Sequence, residues 1–287
     1  MSRLAVPKTY KLFIGGKFPR SESGRTTEIL SPTGTFIANV AKASRKDARD
    51  AVVAARAAWS GWAGATAYNR GQVIYRVAEM LEGRAEQFVA EIVEATGVTP
   101  AAARTEVTAA IDTLVWHAGW TDKFAQVHGG ANPVAGPFFN LSVPESTGVI
   151  ALVAPSSAGS SLLGLVSSIA PALTTGNVVV VLASENAPCA AMTFAEVLST
   201  SDVPGGVVNI LTGDVAEVAP WLASHADVNA LDLTGADTAL ALECERAAAE
   251  TLKRVVRPGA FGPTESAFDR IAAFVETKTV WHTKSLA

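Results

Sequence analysis

The feature that most constrains the fold is a long stretch without a charged residue, which runs from residue 146 to residue 184. A stretch of this length could span a lipid bilayer as a helix. It is interrupted, however, by residues that break helices, among them Gly148, Pro155, Pro171 and Gly176. These residues divide it into strand-length and helix-length pieces, which favours a buried β-α-β unit over a membrane span.

The same alternation of apolar pieces continues towards residue 253. It predicts strands over 149–153, 178–182, 207–211 and 230–233, with helices near 160–173, 188–199, 214–224 and 237–253. Four strands joined by crossover helices form a parallel, doubly wound sheet. We therefore predict an α/β fold of the Rossmann-like type, in which ligands bind at the carboxyl ends of the strands.

The remainder of the chain is predicted to surround this sheet. Ahead of it we expect two β-hairpins, KLFIGGKF and ILSPTGTFIANV, and then three packing helices. The first helix begins at Ser44 with Asp47 in a capping-box position, the second ends near Gly97, and the third runs from Pro100 to about Phe124. The predicted boundaries are 1–125 for the helical part, 126–147 for the first part of an arm, 148–257 for the domain that contains the parallel sheet and 258–287 for a terminal strand.

Composition excludes several classes of function. The chain has 287 residues and a net charge of −4 without a basic block, which argues against nucleic-acid binding. Its two cysteines cannot build a disulfide framework, and no metal-ligand spacing is present. The start, MSRLAVPKTYK, lacks the apolar core of a secretory signal. We therefore expect a cytoplasmic protein that is not inserted in a membrane.

Four segments follow one another along the chain: GVIALVAPSS, IAPALTTGNVVVVLASENAP, VPGGVVNILTG and FVETKTVWH. In sequence and in order they resemble the NAD(P)-dependent aldehyde dehydrogenase superfamily. The resemblance implies that 148–257 is a Rossmann-like nucleotide-binding domain, that 126–147 is the first part of an oligomerisation arm and that 258–287 is an oligomerisation strand. After residues 252–255 (LKRV), neither the family's ELGGK general-base motif nor its nucleophilic cysteine follows. The chain thus resembles a truncated, degenerate member that lacks the catalytic domain.

The catalytic groups of the family are also missing from the positions that do match. Ser157, in the turn APSSAG, stands where the family has the asparagine that stabilises the oxyanion. Cys189 and Cys244 fall on predicted helices, where small buried residues are expected. Ser157 as a nucleophile is the alternative, but no GxSxG elbow surrounds it and no histidine carries a signature that ties it to this serine. We therefore predict no catalytic residue.

The cofactor site that the resemblance implies is only partly present. The family's KPSE-like element reads LASE, so Leu182 replaces the lysine and Glu185 remains to accept hydrogen bonds from a ribose diol. In the phosphate-contacting element, Asp237 adds negative charge and Leu240 replaces a glycine. The sequence therefore leaves three alternatives: the chain binds NAD, it binds NADP, or it binds no nucleotide. The candidate cofactor-binding residues are Ser157, Glu185, Thr234 and Gly235.

The terminal strand VETKTVWH has no partner strand nearby in the sequence, and an unpaired strand edge favours association with another chain. The resemblance implies that it joins the sheet of a neighbouring subunit. We therefore expect a non-catalytic subunit that assembles with a full-length aldehyde dehydrogenase paralogue. The alternatives are an oxidoreductase acting on aldehydes with catalytic groups supplied by a partner chain, and an NAD(P)-binding sensor. The predicted interface residues are Val275, Thr277, Thr279 and Trp281.

Overall fold

The computed structural model describes residues 8–157, 160–260 and 267–284. Its strands form three sheets. In chain order they are β1 (Lys8–Tyr10), β2 (Thr26–Leu30), β3 (Phe36–Ala41), β4 (Gly130–Asn132), β5 (Phe138–Ser146), β6 (Val149–Val153), β7 (Val178–Leu182), β8 (Val208–Leu211), β9 (Ala230–Asp232), β10 (Arg254–Val256) and β11 (Val275–Thr283).

The helices of the same residues cover the central sheet or connect its strands. They are α1 (Arg45–Gly64), α2 (Ala67–Glu82), α3 (Ala85–Thr96), α4 (Pro100–Trp120), α5 (Phe124–His128), α6 (Ser161–Thr174), α7 (Pro188–Ser199), α8 (Val215–Ser224), α9 (Thr238–Ala249) and α10 (Ala267–Ala272).

The central sheet is parallel and has five strands in the order β10-β9-β6-β7-β8. Every residue of β6 and β7 is buried, which explains why this part of the chain carries no charge. The predicted α/β fold is therefore confirmed. The apolar pattern does not predict the fifth strand, β10, because this strand has only three residues and its first residue, Arg254, is charged and exposed.

The helical layer follows the prediction with one difference. Ser44 and Asp47 form the expected capping box at the beginning of α1. The single helix predicted to end near Gly97 is instead two helices, because α2 ends at Glu82, with Gly83 as its C-cap, and α3 begins only after Arg84. Glycine is a poor helix former, so a break at this point costs little. No helix within the described ranges is long and apolar enough to cross a membrane.

The two predicted amino-terminal hairpins are present. In the first, Ile14 pairs with Lys17 around Gly15 and Gly16, both of which have positive φ angles. The second is β2 paired antiparallel with β3. Strand β1 adds to β3 in parallel, which gives a three-stranded sheet in the order β1-β3-β2.

The third sheet corrects the expectation that the terminal strand lacks a partner in its own chain. Strand β11 does have a partner in its own chain: it pairs antiparallel with β5 along its whole length, from Val275 opposite Ser146 to Thr283 opposite Phe138. The predicted arm segment 126–147 also contains β4, which pairs with the other edge of β5. The partner escaped prediction because it is remote in sequence and contains Pro144, which argues against a central strand. The outer edge of β11 stays unpaired among the described residues.

Candidate functional site

The predicted cofactor-binding residues lie at the carboxyl edge of the central sheet. Ser157 follows β6, Glu185 follows β7, and Thr234 and Gly235 follow β9. These strands are neighbours, and the loops are connected directly, since the side-chain amide of Asn186 donates to the carbonyl of Ser156 at 2.8 Å. The structure therefore brings the predicted residues to one edge, where ligands of this fold bind.

Gly235 is required by close packing of the backbone. Its N–H donates to the carbonyl of Val153 at 3.0 Å. A Cβ atom at this position would lie 2.3 Å from the carbonyl oxygen of Ala154. The glycine therefore has a structural reason to be here that is independent of any nucleotide.

Ser157 is exposed and engages its own loop. Its Oγ lies 2.5 Å from Oγ of Ser160, and its carbonyl accepts hydrogen bonds from the N–H and hydroxyl of Ser160. The partner of the hydroxyl is thus another serine, not the histidine that a serine nucleophile needs. Residues 158–159 of the predicted APSSAG turn lie outside the described residues, as do residues 1–7 and most of the GAFGPTES connection.

Glu106, on α4, is a residue of this edge that the sequence does not reveal. It is 4% exposed, and its Oε1 accepts hydrogen bonds from the backbone N–H groups of Leu162 (2.7 Å) and Leu163 (3.2 Å). The Ser161 hydroxyl donates to the same oxygen at 3.2 Å. A negative charge here stabilises the amino terminus of α6. Because α4 and α6 are separated in sequence, no local motif could have indicated this contact.

Glu185 caps another helix and borders a cavity. Its Oε1 accepts a hydrogen bond of 2.7 Å from the N–H of Val215, the first residue of α8. The cavity beside it has a volume of about 250 Å³ and is bordered by the apolar side chains of Ile29 and Val40 and by Lys42. A carboxylate, an ammonium group and an apolar wall thus meet at one opening.

No sequence motif indicates Lys42 as a site residue, yet this lysine borders the same cavity as Glu185. Its Nζ lies 3.2 Å from Glu217 and 3.4 Å from Asp214. The hydrogen bond to Glu217 is the largest cause that raises the pKa of this lysine. The ammonium group therefore stays charged, in a chain where Leu182 occupies the position of the family's lysine.

The beginning of α9, where the resemblance expects a phosphate contact, is capped by an acidic residue. Asp237 accepts a hydrogen bond of 2.8 Å from the N–H of Leu240. Below it, Asp232 accepts from the N–H of Thr234 at 2.9 Å, and burial raises the pKa of Asp232. The exposed carboxylate of Asp237 is unfavourable for a pyrophosphate at the same place, because like charges repel.

Both cysteines are buried packing residues, as the sequence pattern predicts. Burial raises the pKa of the Cys189 thiol to about 12 and that of Cys244 to about 11. A nucleophilic cysteine needs a thiolate, and these thiols remain protonated at neutral pH. The described residues also contain no group of three or more side chains suited to hold a metal ion.

The predicted interface residues occupy different environments on β11. Val275 is 4% exposed and packs with Phe124 and Ile271 of its own chain. Thr277, Thr279 and Trp281 are exposed, and Trp281 forms an edge-to-face contact with Phe138 at 5.8 Å between ring centroids. The exposed apolar side chains of β5 are Phe139, Leu141 and Val143.

The parallel sheet, its crossover helices and the loops at its carboxyl edge define an α/β domain of the Rossmann-like type. Residues 18–257 match the model of the aldehyde dehydrogenase family, and the chain therefore belongs to this family.

Relatives and solved structures agree with this assignment. Over 250 residues the chain is 35% identical to aldehyde dehydrogenase, cytosolic 1, of Elephantulus edwardii, a match that covers 85% of this chain and 49% of the relative. It is 33% identical to mouse cytosolic 10-formyltetrahydrofolate dehydrogenase, with 82% of this chain and 26% of the relative covered. The NAD⁺ complex of Bacillus cereus aldehyde dehydrogenase superposes with a TM-score of 0.81 at 27% identity, over 86% of this chain and 50% of that structure. The chain thus spans half or less of the proteins it resembles.

Proposed function

We propose that this chain is a non-catalytic subunit that assembles with a full-length aldehyde dehydrogenase. The observation that carries the proposal is the state of its thiols: Cys189 and Cys244 are the chain's two cysteines, and both are buried with raised pKa values. Aldehyde oxidation through a thiohemiacetal requires an accessible thiolate. Neither thiol provides one.

The arm supports the assembly half of the proposal. Strand β11 pairs with β5 on one side, and on the other side no strand of the described ranges pairs with it. Such an edge can accept a further strand. The sheet also exposes apolar side chains on both of its faces. Phe139, Leu141 and Val143 lie on one face of β5, whereas Trp281, opposite Asn140 in the register, lies on the other face. Exposed apolar groups that lie close together, as the three on β5 do, are typical of surfaces that contact another protein. We place the contact with the partner on this sheet.

Co-expression with complete aldehyde dehydrogenase paralogues, followed by native mass spectrometry, tests the assembly. We expect a complex that contains both chains, and we expect Trp281→Ser to reduce its fraction. The matched control is Tyr68→Ser, which removes an aromatic side chain that is 70% exposed on α2, away from this sheet. A chain that stays monomeric with every paralogue contradicts the proposal, as does a complex that both substitutions weaken equally.

A second candidate function is NAD(P) binding, either as a sensor or with catalytic groups supplied by a partner. The observation that favours it is the cavity beside Glu185: the Oε1 atom caps α8, and the rest of the carboxylate is available to a ribose diol. Lys42, which is paired with Asp214 and Glu217, lies at the same opening. The residues fit the adenosine half of such a cofactor better than its pyrophosphate, which would meet Asp237.

Calorimetry with NAD and with NADP separates this candidate from a purely structural subunit. Glu185→Gln should weaken any binding, whereas Asp237→Ser should strengthen it. Serine caps a helix about as well as aspartate, so the second variant removes a charge and keeps the cap. No heat of binding with either nucleotide, in the wild type and in Asp237→Ser, would exclude the second candidate. Aldehyde-dependent NADH production by the purified chain would contradict the first.

A further inference from the structure

A second cavity opens on the β1-β3-β2 sheet. It lies on the face opposite to that of the cavity beside Glu185. Its volume is about 270 Å³, and it is bordered by Thr26 and Ala41, which are paired in the register of β2 and β3. The cavity beside Glu185 is bordered by the next residues in the same strands, Thr27 and Val40. Successive side chains of a strand point to opposite faces. The two cavities are therefore separate sites.

Three positively charged side chains surround this second cavity: Lys11, Arg20 and Arg25. Lys11 and Arg20 lie on opposite sides of the first hairpin, one step beyond the hydrogen bond of 3.0 Å between the N–H of Leu12 and the carbonyl of Pro19. Within the described residues, no carboxylate oxygen lies within 4.0 Å of either charge. Like charges that face each other across a strand pair destabilise it. The fold therefore keeps these two cations together without neutralising them.

The acidic residues near the cavity are already paired with other groups. Arg25 lies 3.3 Å from Glu217, which also binds Lys42. Glu22, in the same loop as Arg20 and Arg25, is paired with Lys46 at 3.3 Å. An excess of positive charge thus remains at the cavity opening.

The loop that carries two of these cations is held rigidly. The buried Asp47 accepts a hydrogen bond of 2.7 Å from the hydroxyl of Ser21 and one of 3.1 Å from the N–H of Glu22. The end of the loop is fixed by the N–H of Lys42, which donates to the carbonyl of Arg25 at 2.9 Å. A loop whose backbone is already fixed loses less entropy when a ligand binds.

We propose that this cavity binds the phosphate group of a small phosphorylated molecule. Guanidinium groups donate two parallel hydrogen bonds to phosphate oxygens, and the hydroxyls of Thr9 and Thr26, which border the cavity, can donate as well. The volume lies just below the range of typical small-molecule sites, so the ligand is a phosphate with a small body. The site is independent of the function proposed above.

Isothermal titration of the full chain with inorganic phosphate and with glucose 6-phosphate, at constant ionic strength in a chloride buffer, tests the proposal. We expect binding of both probes, and we expect Arg20→Gln to lower the affinity at least tenfold, which is about 1.4 kcal/mol. Tighter binding of glucose 6-phosphate would assign the site to a phosphate ester, and equal binding would assign it to the free anion.

The matched control is Lys17→Gln, which removes a charge from the turn of the same hairpin. This residue does not border the cavity, so its loss should change the affinity less than twofold. Equal losses in the two variants would mean non-specific attraction to the charged surface and would overturn the proposal. The absence of binding to the wild type would overturn it as well. Circular dichroism and unfolding curves of both variants establish that the hairpin is still folded.

Discussion

The carboxylate of Glu106 accepts a hydrogen bond of 2.7 Å from the backbone N–H of Leu162, and so a side chain of α4 caps the helix that follows the first strand of the central sheet. In many nucleotide-binding folds the corresponding amino terminus faces a phosphate. Here the chain's own carboxylate occupies that terminus. The backbone N–H groups of Leu162 and Leu163 at the amino end of α6 therefore have a hydrogen-bond acceptor without any ligand.

Removal of this carboxylate should destabilise the chain. Glu106→Ala leaves the N–H groups of Leu162 and Leu163 without their acceptor, and hydrogen bonds to a charged group contribute about 1.5–3 kcal/mol each to stability. We expect the free energy of unfolding in urea to fall by about 3–6 kcal/mol, the sum of the two contributions. Glu82→Ala, at an exposed position on α2, is the control and should change it by less than about 0.5 kcal/mol. Equal midpoints for the wild type and Glu106→Ala would contradict the role assigned to Glu106.

The chain should lose stability in mild acid because of His117. Burial, with a smaller effect of Arg270, lowers the pKa of this imidazole from 6.5 to about 3. Between these two values the unfolded chain binds the extra proton and the folded chain does not, so the free energy of unfolding falls as the pH falls. The contribution of this single group between about pH 7 and about pH 5 is about 2 kcal/mol.

Urea unfolding at these two pH values checks the expectation. His117→Gln should show a fall in unfolding free energy that is smaller than that of the wild type by about 2 kcal/mol. His282→Gln, on the exposed part of β11, serves as the control and should follow the wild type. A wild type and a His117→Gln variant with the same pH dependence would show that another group is responsible.

Two glycine substitutions should have opposite effects. Gly235→Ala places a Cβ atom 2.3 Å from a backbone carbonyl oxygen, which cannot move without shifting β6. We expect a loss of about 3 kcal/mol or more, the upper range for overpacking. Gly61→Ala, inside α1 with no atom within 4 Å of the new Cβ, should instead stabilise the chain by about 0.5–1 kcal/mol. Thermal unfolding measures both, and a tolerated Gly235→Ala would mean that the two loops are not tightly packed.

The thiols should be unreactive in the folded chain. Because burial raises both pKa values to about 11 or 12, a reagent such as DTNB should label neither Cys189 nor Cys244 at mildly alkaline pH. Both should react at once in urea. Fast labelling of one thiol without denaturant would show that it is accessible, and the non-catalytic proposal would then need the corresponding Cys→Ser variant as a further test.

The sequence predicts those features that depend on neighbouring residues. The charge-free stretch indicates β6, α6 and β7, and the Ser44–Asp47 spacing indicates the beginning of α1, because burial and capping are read over a few positions. It also predicts that Glu185 and Gly235 lie at the carboxyl edge of the central sheet, since the positions of the strand ends follow from the fold class.

The features that the sequence does not reveal depend on contacts between distant segments. Glu106 looks like an ordinary polar position of α4 until α6 packs against it. Lys42 becomes part of the cavity beside Glu185 only when the amino-terminal sheet docks on α8. The pairing of β11 with β5 also cannot be predicted from the sequence, because no residue pattern in either strand indicates the other as its partner.

This pairing has a consequence for the order of events during synthesis. Ser142 on β5 and Thr279 on β11, whose hydroxyls lie 3.2 Å apart, are separated by 137 residues. At about 5–20 residues per second, β5 leaves the ribosome on the order of ten seconds before its neighbour exists. During that interval the whole length of β5 that faces β11 lacks its hydrogen bonds, next to the apolar Phe139, Leu141 and Val143. The nascent chain therefore passes through a period in which chaperones, or a partner subunit that is already folded, can engage β5 first.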